Sequence, residues 1–384
     1  MDTWWKNLAD LNEEQTEVIG LPLEGSYLIQ GPPGSGKTNL LVLRANYLTM
    51  AGKDNLYIIV FTRTLQDFIA MGGGNYKFPS SKVVTSTKFY QDLLYQYGVE
   101  CNAPDNFTDA RTYYIEMVND LILKKKLSKI IDVILLDESQ DYLPEEVGIF
   151  QRLSNSIFAV ADSRQKIYRG EDSVSLLKSI VTKTCNLQFH YRNGRKICNL
   201  ADAIAKDSSE FKLLTPTSNY NEAARPSSVE QYCLDSIKAE AKEIIKRLDI
   251  QLKAYPGEKI GIACPRIEEL NEVWEEIAAS PFGPMSILQK VPTNSPFEPE
   301  KRICVCTFHS MKGLEFRALH LVGCEYLKKF QHQRNMAYTA VTRAKTSLSI
   351  YHSDTLPGYF QGALNSLLPL PDLPKLEDVF KGKS

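Results

Sequence analysis

The chain has 384 residues, a hydrophobic fraction of 43% and a formal net charge of −1. This composition is typical of a globular protein with two or three domains. A net charge near zero excludes binding of nucleic acid through overall basicity, so any such contact has to come from a local groove. The eight cysteines contain no C-x-x-C pair, no apolar run approaches the ~20 residues of a membrane span, and the N-terminus lacks a signal pattern. We therefore expect a cytoplasmic protein without a zinc site or a membrane partner.

A glycine-rich stretch near the N-terminus has the pattern of a P-loop, in which Gly31 and four further residues precede Gly-Lys-Thr at 36–38. Residues 26–30 predict a strand before it and residues 39–50 predict a helix after it, which is the context that the motif needs. Glycines allow backbone N–H groups to turn toward phosphate oxygens, and the helix N-terminus adds a partial positive charge. The predicted nucleotide-binding residues of this loop are Gly31, Pro32, Pro33, Gly34, Ser35, Gly36, Lys37, Thr38 and Asn39.

Two motifs provide groups that are expected to act on a nucleoside triphosphate and its Mg²⁺. In the loop, Lys37 is expected to reach the β- and γ-phosphates, and the Thr38 hydroxyl is expected to bind Mg²⁺. Further along, the apolar segment 130–136 predicts a strand, and Asp137 and Glu138 follow it directly. We expect Asp137 to bind Mg²⁺ through water, and Glu138 to polarise the attacking water as a general base.

Side chains suited to ligand contact follow three further predicted strands, and in open α/β sheets ligands bind at the carboxyl ends of strands. Gln165 comes after the apolar segment 157–161 and is placed to sense a γ-phosphate. The residues at the other two strand ends are candidate ligand contacts as well. For each of them taken singly, a position in a turn or at a helix cap is the better explanation. Those residues are Phe61, Thr62, Arg63, Thr85 and Thr87.

Gln15 lies upstream of the P-loop, near the start of a predicted helix whose N-cap is Asn12. Its side-chain amide carries both the donor and the acceptor that are needed to pair with the edge of adenine. A surface position on a helix is the alternative interpretation.

The β/α alternation of the first half returns in the second half, without a second P-loop. We predict an N-terminal domain over residues 1–185 with a small helical insertion at about 91–130. A C-terminal domain is predicted over residues 186–366, with its first strand at 186–189. Residues 367–384 form a proline-rich tail that we expect to be extended.

Taken in order, these motifs resemble those of the UvrD/Rep-type superfamily 1 helicases. The resemblance runs from about residue 11 to about residue 351, with Lys166 and Met311 as substitutions inside otherwise matching motifs. The matching segments are Gln15 (Q motif), 31–38 (Walker A), 137–141 (D-E-x-Q-D), 162–168 (D-x-x-Q-S-I-Y), 191–192 (N-Y-R), 307–316 (T-x-H-x-A-K-G-L-E-F) and 338–344 (Y-V-A-x-T-R-A).

The resemblance implies an α/β fold of two tandem RecA-like domains, each a parallel sheet flanked by helices, with ATP and Mg²⁺ in the cleft between them. Tyr191 would stack on adenine while Gln15 reads its edge, and Glu315 would contact the ribose. Arg192 and Arg343 would reach across the cleft as arginine fingers, which can contribute roughly 10³–10⁵ in rate.

The resemblance further implies that ATP hydrolysis drives movement along single-stranded DNA, 3′ to 5′ in this family. The positions that look like the family's DNA contacts are Phe61, Thr62, Thr85, Thr87 and His309. The chain departs from the family on this side, because Arg169-Gly170 stand where a Trp is usual and the T-x-H segment becomes Thr85-Ser86-Thr87. The two large accessory insertions are also reduced.

Two functions stay open at this point. The first is a compact helicase or translocase that works with another protein, such as a nuclease in DNA repair or anti-phage defence. The second is a nucleotide-gated switch that controls a protein partner without moving along DNA. RNA is an alternative track, since nothing in the sequence recognises the sugar. A P-loop kinase or transferase leaves both arginine motifs unexplained.

Overall fold

The protein folds around two parallel β-sheets. The computed structural model describes residues 10–71, 76–165, 173–205, 213–290, 298, 300–328 and 330–368. Within these residues the strands form two six-stranded sheets, and neighbouring strands in both sheets run parallel. The predicted α/β class is confirmed.

The first sheet is built from the N-terminal half of the chain. Its strands are Tyr27–Gln30 (β1), Leu56–Val60 (β2), Val83–Thr85 (β3), Ile131–Leu136 (β4), Ser154–Ala161 (β5) and Lys183–Asn186 (β6). Their order across the sheet is β3-β2-β4-β5-β1-β6. Ile58 and Ile59 of β2 belong to hydrophobic clusters on opposite faces and both are fully buried, as expected for a sheet that is covered on both sides.

The second sheet is built from the C-terminal half. Its strands are Ser228–Cys233 (β7), Ile260–Cys264 (β8), Ser286–Gln289 (β9), Ile303–Thr307 (β10), Phe316–Leu321 (β11) and Ala344–His352 (β12). Their order is β7-β12-β11-β8-β10-β9. The apolar strands β8, β10 and β11 are buried along their whole length.

Helices cover both faces of each sheet. In the described part of the chain they are Glu13–Ile19 (α1), Lys37–Met50 (α2), Arg63–Met71 (α3), Ser86–Gln96 (α4), Phe107–Lys125 (α5), Pro144–Leu153 (α6), Ser173–Ile180 (α7), Arg195–Ile204 (α8), Ile237–Ala254 (α9), Ile267–Ala279 (α10), Gln331–Val341 (α11) and Gly358–Asn365 (α12). Helices α1 to α3 pack on one face of the first sheet and α4 to α7 on the other. On the second sheet, α9 and α10 cover one face and α8, α11 and α12 cover the other. No described helix has both the length and the apolar character that crossing a bilayer requires.

The predicted strand at 186–189 is wrong. Strand β6 occupies Lys183–Asn186 instead, where it pairs with β1 at the edge of the first sheet. The prediction failed because β6 is largely polar and half-exposed, so no apolar run marks it. The two domain ranges stay predictions, with β6 ending one residue beyond the predicted boundary at 185. Most of the predicted tail, residues 369–384, lies outside the described residues.

The parallel strands bring separate motifs to one edge of the first sheet. The P-loop follows β1, Phe61 follows β2, Asp137 follows β4 and Asp162 follows β5. Because these strands are hydrogen-bonded neighbours that run in the same direction, their carboxyl ends lie side by side.

His320 on β11 is a fully buried polar residue in the core of the second sheet. Its ring nitrogens lie 2.8 Å from Gln251 Oε1 and 3.1 Å from Tyr351 Oη. Burial, together with the charge of Arg247, lowers the pKa of His320 to about 3. The ring is therefore neutral in the folded protein across the neutral and mildly acidic range.

We predict that His320 makes the folded state less stable as the pH falls below about 6.5. The unfolded chain then binds a proton at this histidine that the folded chain does not bind, so the free energy of unfolding decreases by about 1 kcal/mol per pH unit between pH 6 and 5. Urea unfolding of the wild type and His320→Gln at both pH values measures this component as the difference between the two slopes. Glu240, whose pKa burial raises to about 8, contributes equally to both proteins and cancels. Equal slopes would contradict the prediction.

Candidate functional site

A cavity of about 240 Å³ is formed by residues that belong to both halves of the chain. From the first half it is lined by Pro33, Gly34, Gly36, Lys37, Thr38, Asn39, Asp137, Glu138 and Gln165. From the second half it is lined by Tyr191, Arg192, Tyr220, Gly313, Glu315, Arg317, Arg343 and Lys345. The structure thus brings most of the predicted nucleotide-side residues to one place.

The P-loop turns tightly between β1 and the first turn of α2. Gly36 caps the helix in the left-handed region with φ of 88°, a conformation that glycine adopts without strain. Lys37 Nζ donates to the carbonyl oxygens of Gly31 and Pro32 at 2.8 and 2.9 Å. Burial lowers the pKa of Lys37 to about 8, against the opposing charges of Asp162 and Glu138. The loop thus combines a cation with a helix N-terminus, which suits a phosphate group.

Thr38 and Asp137 present two oxygen donors at the floor of the cavity. Thr38 Oγ1 donates to Asp137 Oδ2 at 2.9 Å, and the backbone N–H of Glu138 donates to Asp137 Oδ1 at 2.9 Å. Burial and the neighbouring charge of Glu138 raise the pKa of Asp137 to about 7. A buried carboxylate beside a hydroxyl is a donor set that fits a hard divalent cation such as Mg²⁺.

Glu138 occupies a strained position between the two halves. Its φ and ψ are 47° and 45°, which is the left-handed region that non-glycine residues rarely adopt. Gln140 Nε2 donates to Glu138 Oε2 at 2.6 Å, while Lys312 and Arg343 from the second half lie 3.8 and 3.7 Å away. Burial raises the pKa of Glu138, but the charges of Lys312, Arg343 and Lys37 outweigh it and bring the pKa to about 2. The carboxylate is therefore ionised.

A hydrogen-bonded network continues from Glu138 to Gln165. Asp162 N donates to Gln140 Oε1 at 3.0 Å, and Gln165 Nε2 donates to Asp162 Oδ2 at 3.0 Å. The side-chain oxygen of Gln165, Oε1, accepts a hydrogen bond from Arg343. The amide of Gln165 therefore links an acid of the first half to a cation of the second.

Lys312 is a contact residue that the sequence did not single out. It is almost completely buried, pairs with Asp141 and donates to the Gln165 backbone oxygen at 2.9 Å. Both Lys312 and Asp141 stand inside motifs that were recognised, at 307–316 and 137–141. The motifs gave no indication that the two residues meet.

Glu315 lies between two cations at the other end of the cavity. Its Oε2 accepts from Arg192 Nε at 2.8 Å, and its Oε1 pairs with Lys345. Four further lining residues were not predicted: Gly313 lies inside the motif at 307–316, Arg317 and Lys345 directly follow motifs, and Tyr220 carries no pattern. Tyr220 Oη and Arg317 both contact Thr346 Oγ1, at 2.6 and 3.1 Å.

Gln15 is buried against the P-loop and does not line the cavity. Its Nε2 donates to the Ser35 carbonyl oxygen at 2.9 Å, and its Oε1 accepts from Asn12 N at 3.2 Å. Asn12 Nδ2 in turn donates to Tyr191 Oη at 2.6 Å. The structure thus places Gln15 close to Tyr191 through Asn12, with both ends of its amide engaged by the protein.

None of the six predicted nucleic-acid residues lines the cavity. The ends of β2 and β3 are adjacent, because Val60 pairs with Thr85. Thr62 Oγ1 lies 3.5 Å from the Lys312 carbonyl oxygen, so the end of β2 meets the segment that carries His309. The Thr85 hydroxyl accepts from Lys88 N at 3.2 Å and caps α4. Phe61 is half-buried and His309 is half-buried, while Arg63 and Thr87 are exposed.

Comparison with known proteins adds a partial family match. Residues 302–351 match the family of the UvrD-like helicase C-terminal domain. A solved structure of the PRRSV helicase is similar with a TM-score of 0.40 and 16% identity, and the similarity covers 88% of this chain but 54% of that one. The chain thus spans about half the length of that helicase. No curated protein matches.

The fold consists of two α/β units, each with a parallel sheet between helices, which is consistent with two RecA-like domains. Within this class, residues 302–351 are similar to the UvrD-like helicase C-terminal domain, and the ordered motifs resemble those of superfamily 1 helicases.

Gly34 tests whether the two halves meet at the P-loop in solution. It has φ of +77°, and a Cβ added there would lie 2.5 Å from the Cβ of Arg192. We expect Gly34→Ala to lower the free energy of unfolding for two reasons. Backbone strain accounts for a loss of about 1–2 kcal/mol, and the clash with Arg192 accounts for a further loss of about 1–3 kcal/mol.

The control is Gly52→Ala, because Gly52 has φ of +84° and nothing within 4 Å of an added Cβ. Urea unfolding should therefore show the strain alone for this variant. Equal losses for the two variants would mean that Arg192 does not pack on the P-loop.

Proposed function

We propose that the chain is an ATP-dependent DNA helicase or translocase, in which hydrolysis of Mg-ATP drives 3′-to-5′ movement on single-stranded DNA. One observation carries the proposal. Glu138 lines one cavity together with Asp137, Lys37 and Arg343, and Lys312 from the second half lies 3.8 Å from its carboxylate. Such a site combines a water-orienting acid with cations that act only when the two halves are together.

ATP binds in this cavity with its phosphates on the P-loop. Residues 31–39 surround the phosphates, with Lys37 on the β- and γ-phosphates. Thr38 and Asp137 hold Mg²⁺, which neutralises phosphate charge when bound. The base lies near Tyr191 and Gln15, and the ribose lies near Glu315. The last three assignments rest on the motif resemblance and on the positions of Tyr191 and Glu315 in the cavity wall.

Hydrolysis uses charges from both halves. Ionised Glu138 accepts a hydrogen bond from the attacking water and orients it toward the γ-phosphate. Gln165 senses that phosphate, and Arg192 and Arg343 stabilise the charge that develops on it. Arg343 is suited to this role because it is fully buried beside Glu138, where burial lowers its pKa but the acid opposes that shift.

The track lies on the outer side of the same junction. Thr62 approaches the backbone of Lys312, whose side chain contacts Asp141 and Gln165 next to the cavity. Loss of the γ-phosphate on hydrolysis is thereby linked through Lys312 to the surface that carries Phe61, Arg63 and His309. The compact chain works there with a protein partner such as a nuclease, in DNA repair or anti-phage defence.

The competing function is a nucleotide-gated ATPase switch that regulates a protein partner without unwinding. One observation favours it, because the Thr85 hydroxyl caps α4 and is thus already used within the protein. The residues proposed to contact DNA are then less well suited to their role than those proposed to contact ATP. In this function, ATP would control the junction between the halves without movement along a nucleic acid.

Steady-state ATPase rates distinguish these functions. We expect the wild type to hydrolyse ATP, single-stranded DNA to stimulate it strongly, and Lys37→Ala to be at least about 100-fold slower because the phosphates lose a fixed cation. Preference for single-stranded RNA would change the track. Activity indifferent to single strands and duplex would reject the motor and favour the switch, and equal activity of Lys37→Ala would reject the ATP site.

Arg343→Ala tests the proposed arginine finger. We expect kcat to fall about 10³-fold, because the variant lacks a charge at the transition state, while the affinity for ADP changes little. The matched control is Arg152→Ala, since Arg152 is exposed on α6 and its side chain bonds only to Asn119 and Gly148 among the contacts described. A loss of less than tenfold in Arg343→Ala, or an equal loss in the control, counts against the assignment.

A further inference from the structure

The carboxylate of Glu315 is bound by two cations, Arg192 and Lys345, which differ in whether they can turn toward a phosphate. Arg192 Nε lies 2.8 Å from Glu315 Oε2, and Lys345 pairs with Oε1. All three side chains are only 13–16% exposed, so the carboxylate is largely removed from water. Burial alone raises the pKa of Glu315, but the charges of Lys345 and Arg192 bring it to about 2. The acid is therefore ionised and bound from both sides.

The backbone that carries these cations is fixed. Asn193 Nδ2 donates to the carbonyl oxygens of Thr342 and Ala344 at 2.8 and 2.6 Å, and Gly194 N donates to the Lys345 carbonyl oxygen at 2.9 Å. The residues after Arg192 are thus tied directly to the start of β12, which carries Lys345. Side-chain rotation is therefore enough to change the pairing of Glu315, while these backbone hydrogen bonds stay in place.

Arg192 is already next to the P-loop. Its Cβ would lie 2.5 Å from a Cβ on Gly34, and the neighbouring Tyr191 N donates to the Gly34 carbonyl oxygen at 3.1 Å. Its charge also lowers the pKa of Lys37, so the two cations share one electrostatic environment. The guanidinium can therefore reach phosphates on the loop by rotation, without movement of the backbone.

Rotation of Arg192 toward phosphate removes one partner from Glu315. A mostly buried carboxylate without a counter-charge is strongly unfavourable, so it would draw Arg192 back. Lys345 is the cation that remains. Arg317 lines the same cavity but pairs with Glu258 and contacts Thr346, so it is held elsewhere.

We propose that Lys345 is a positioning residue that keeps Glu315 neutralised, so that Arg192 is free to turn from Glu315 to the phosphates of bound nucleotide. The inference rests on the proposed ATPase function and goes beyond it, since the arginine acts only after it has left the acid. Glu315 is then both the contact for the ribose and the resting place of Arg192.

ATPase kinetics of Lys345→Met test this role. We expect kcat to fall about 10- to 100-fold, a part of what an arginine finger contributes, because Glu315 then has Arg192 as its remaining partner and retains it. KM should change much less. Lys345→Arg should restore kcat, because it restores the second cation. Lys246→Met removes an exposed lysine from an ion pair with Glu243 and should leave kcat unchanged.

The double variant Glu315→Gln/Lys345→Met provides the decisive comparison. A neutral amide no longer holds Arg192, so kcat should rise at least about tenfold above that of Lys345→Met, whereas KM should be higher because the ribose contact is weakened. A purely structural role for Lys345 predicts that kcat changes only together with the free energy of unfolding. Urea unfolding of each variant measures that free energy, so a recovery of kcat without a matching recovery of stability supports the proposed role.

The outcomes separate the two proposals. A wild type without ATPase activity overturns both. An active wild type together with wild-type kcat in Lys345→Met, or with a double variant as slow as Lys345→Met, overturns the role of Lys345 alone.

Discussion

The site depends on the buried charges that join the two sheets. Lys312 is 1% exposed and contacts Asp141 and Glu138, while Arg343 contacts Gln165 and Glu138. A charge that is removed from water is tolerated only with a partner, so each sheet supplies what the other requires. The cavity, the ionised state of Glu138 and the position of Gln165 all follow from this pairing. Because these contacts cross from one half to the other, the site is complete only when the two halves are placed against each other.

Much of the fold could be predicted from the sequence, because central strands of parallel sheets are apolar runs. The segments that became β1, β4 and β5 were predicted within a few residues of their observed ends. The strands that were missed or misplaced lie at sheet edges. Strand β6 is half-exposed, and β7 reads Ser-Val-Glu-Gln-Tyr-Cys, with few apolar positions. Neither of these two strands is a buried apolar run, so hydrophobicity does not reveal them.

The candidate site could be predicted where local sequence determines local geometry. The P-loop needs glycines, a lysine and a hydroxyl in one turn, and Asp137 needs only to follow a buried strand. Contacts between distant segments left no such pattern, as Lys312 with Asp141 and Lys345 with Glu315 illustrate. Asp141, Lys312 and Glu315 lie inside recognised motifs and Lys345 directly follows one, but no motif indicates which of them meet. The first pairing depends on how the two sheets face each other and the second on the parallel pairing of β11 with β12, so both are properties of the tertiary structure.

The strained backbone of Glu138 lowers stability but places its carboxylate in the site. A left-handed conformation is unfavourable by about 1–2 kcal/mol for a residue with a side chain, and glycine or asparagine would adopt it more easily. Neither of these residues could present a carboxylate between Lys312 and Arg343. Replacing Glu138 alone would relieve this strain but leave buried Arg343 without its carboxylate partner, so a search for more stable sequences on this backbone would have to replace both residues together. The position is one where optimisation for folding and optimisation for chemistry lead to different residues.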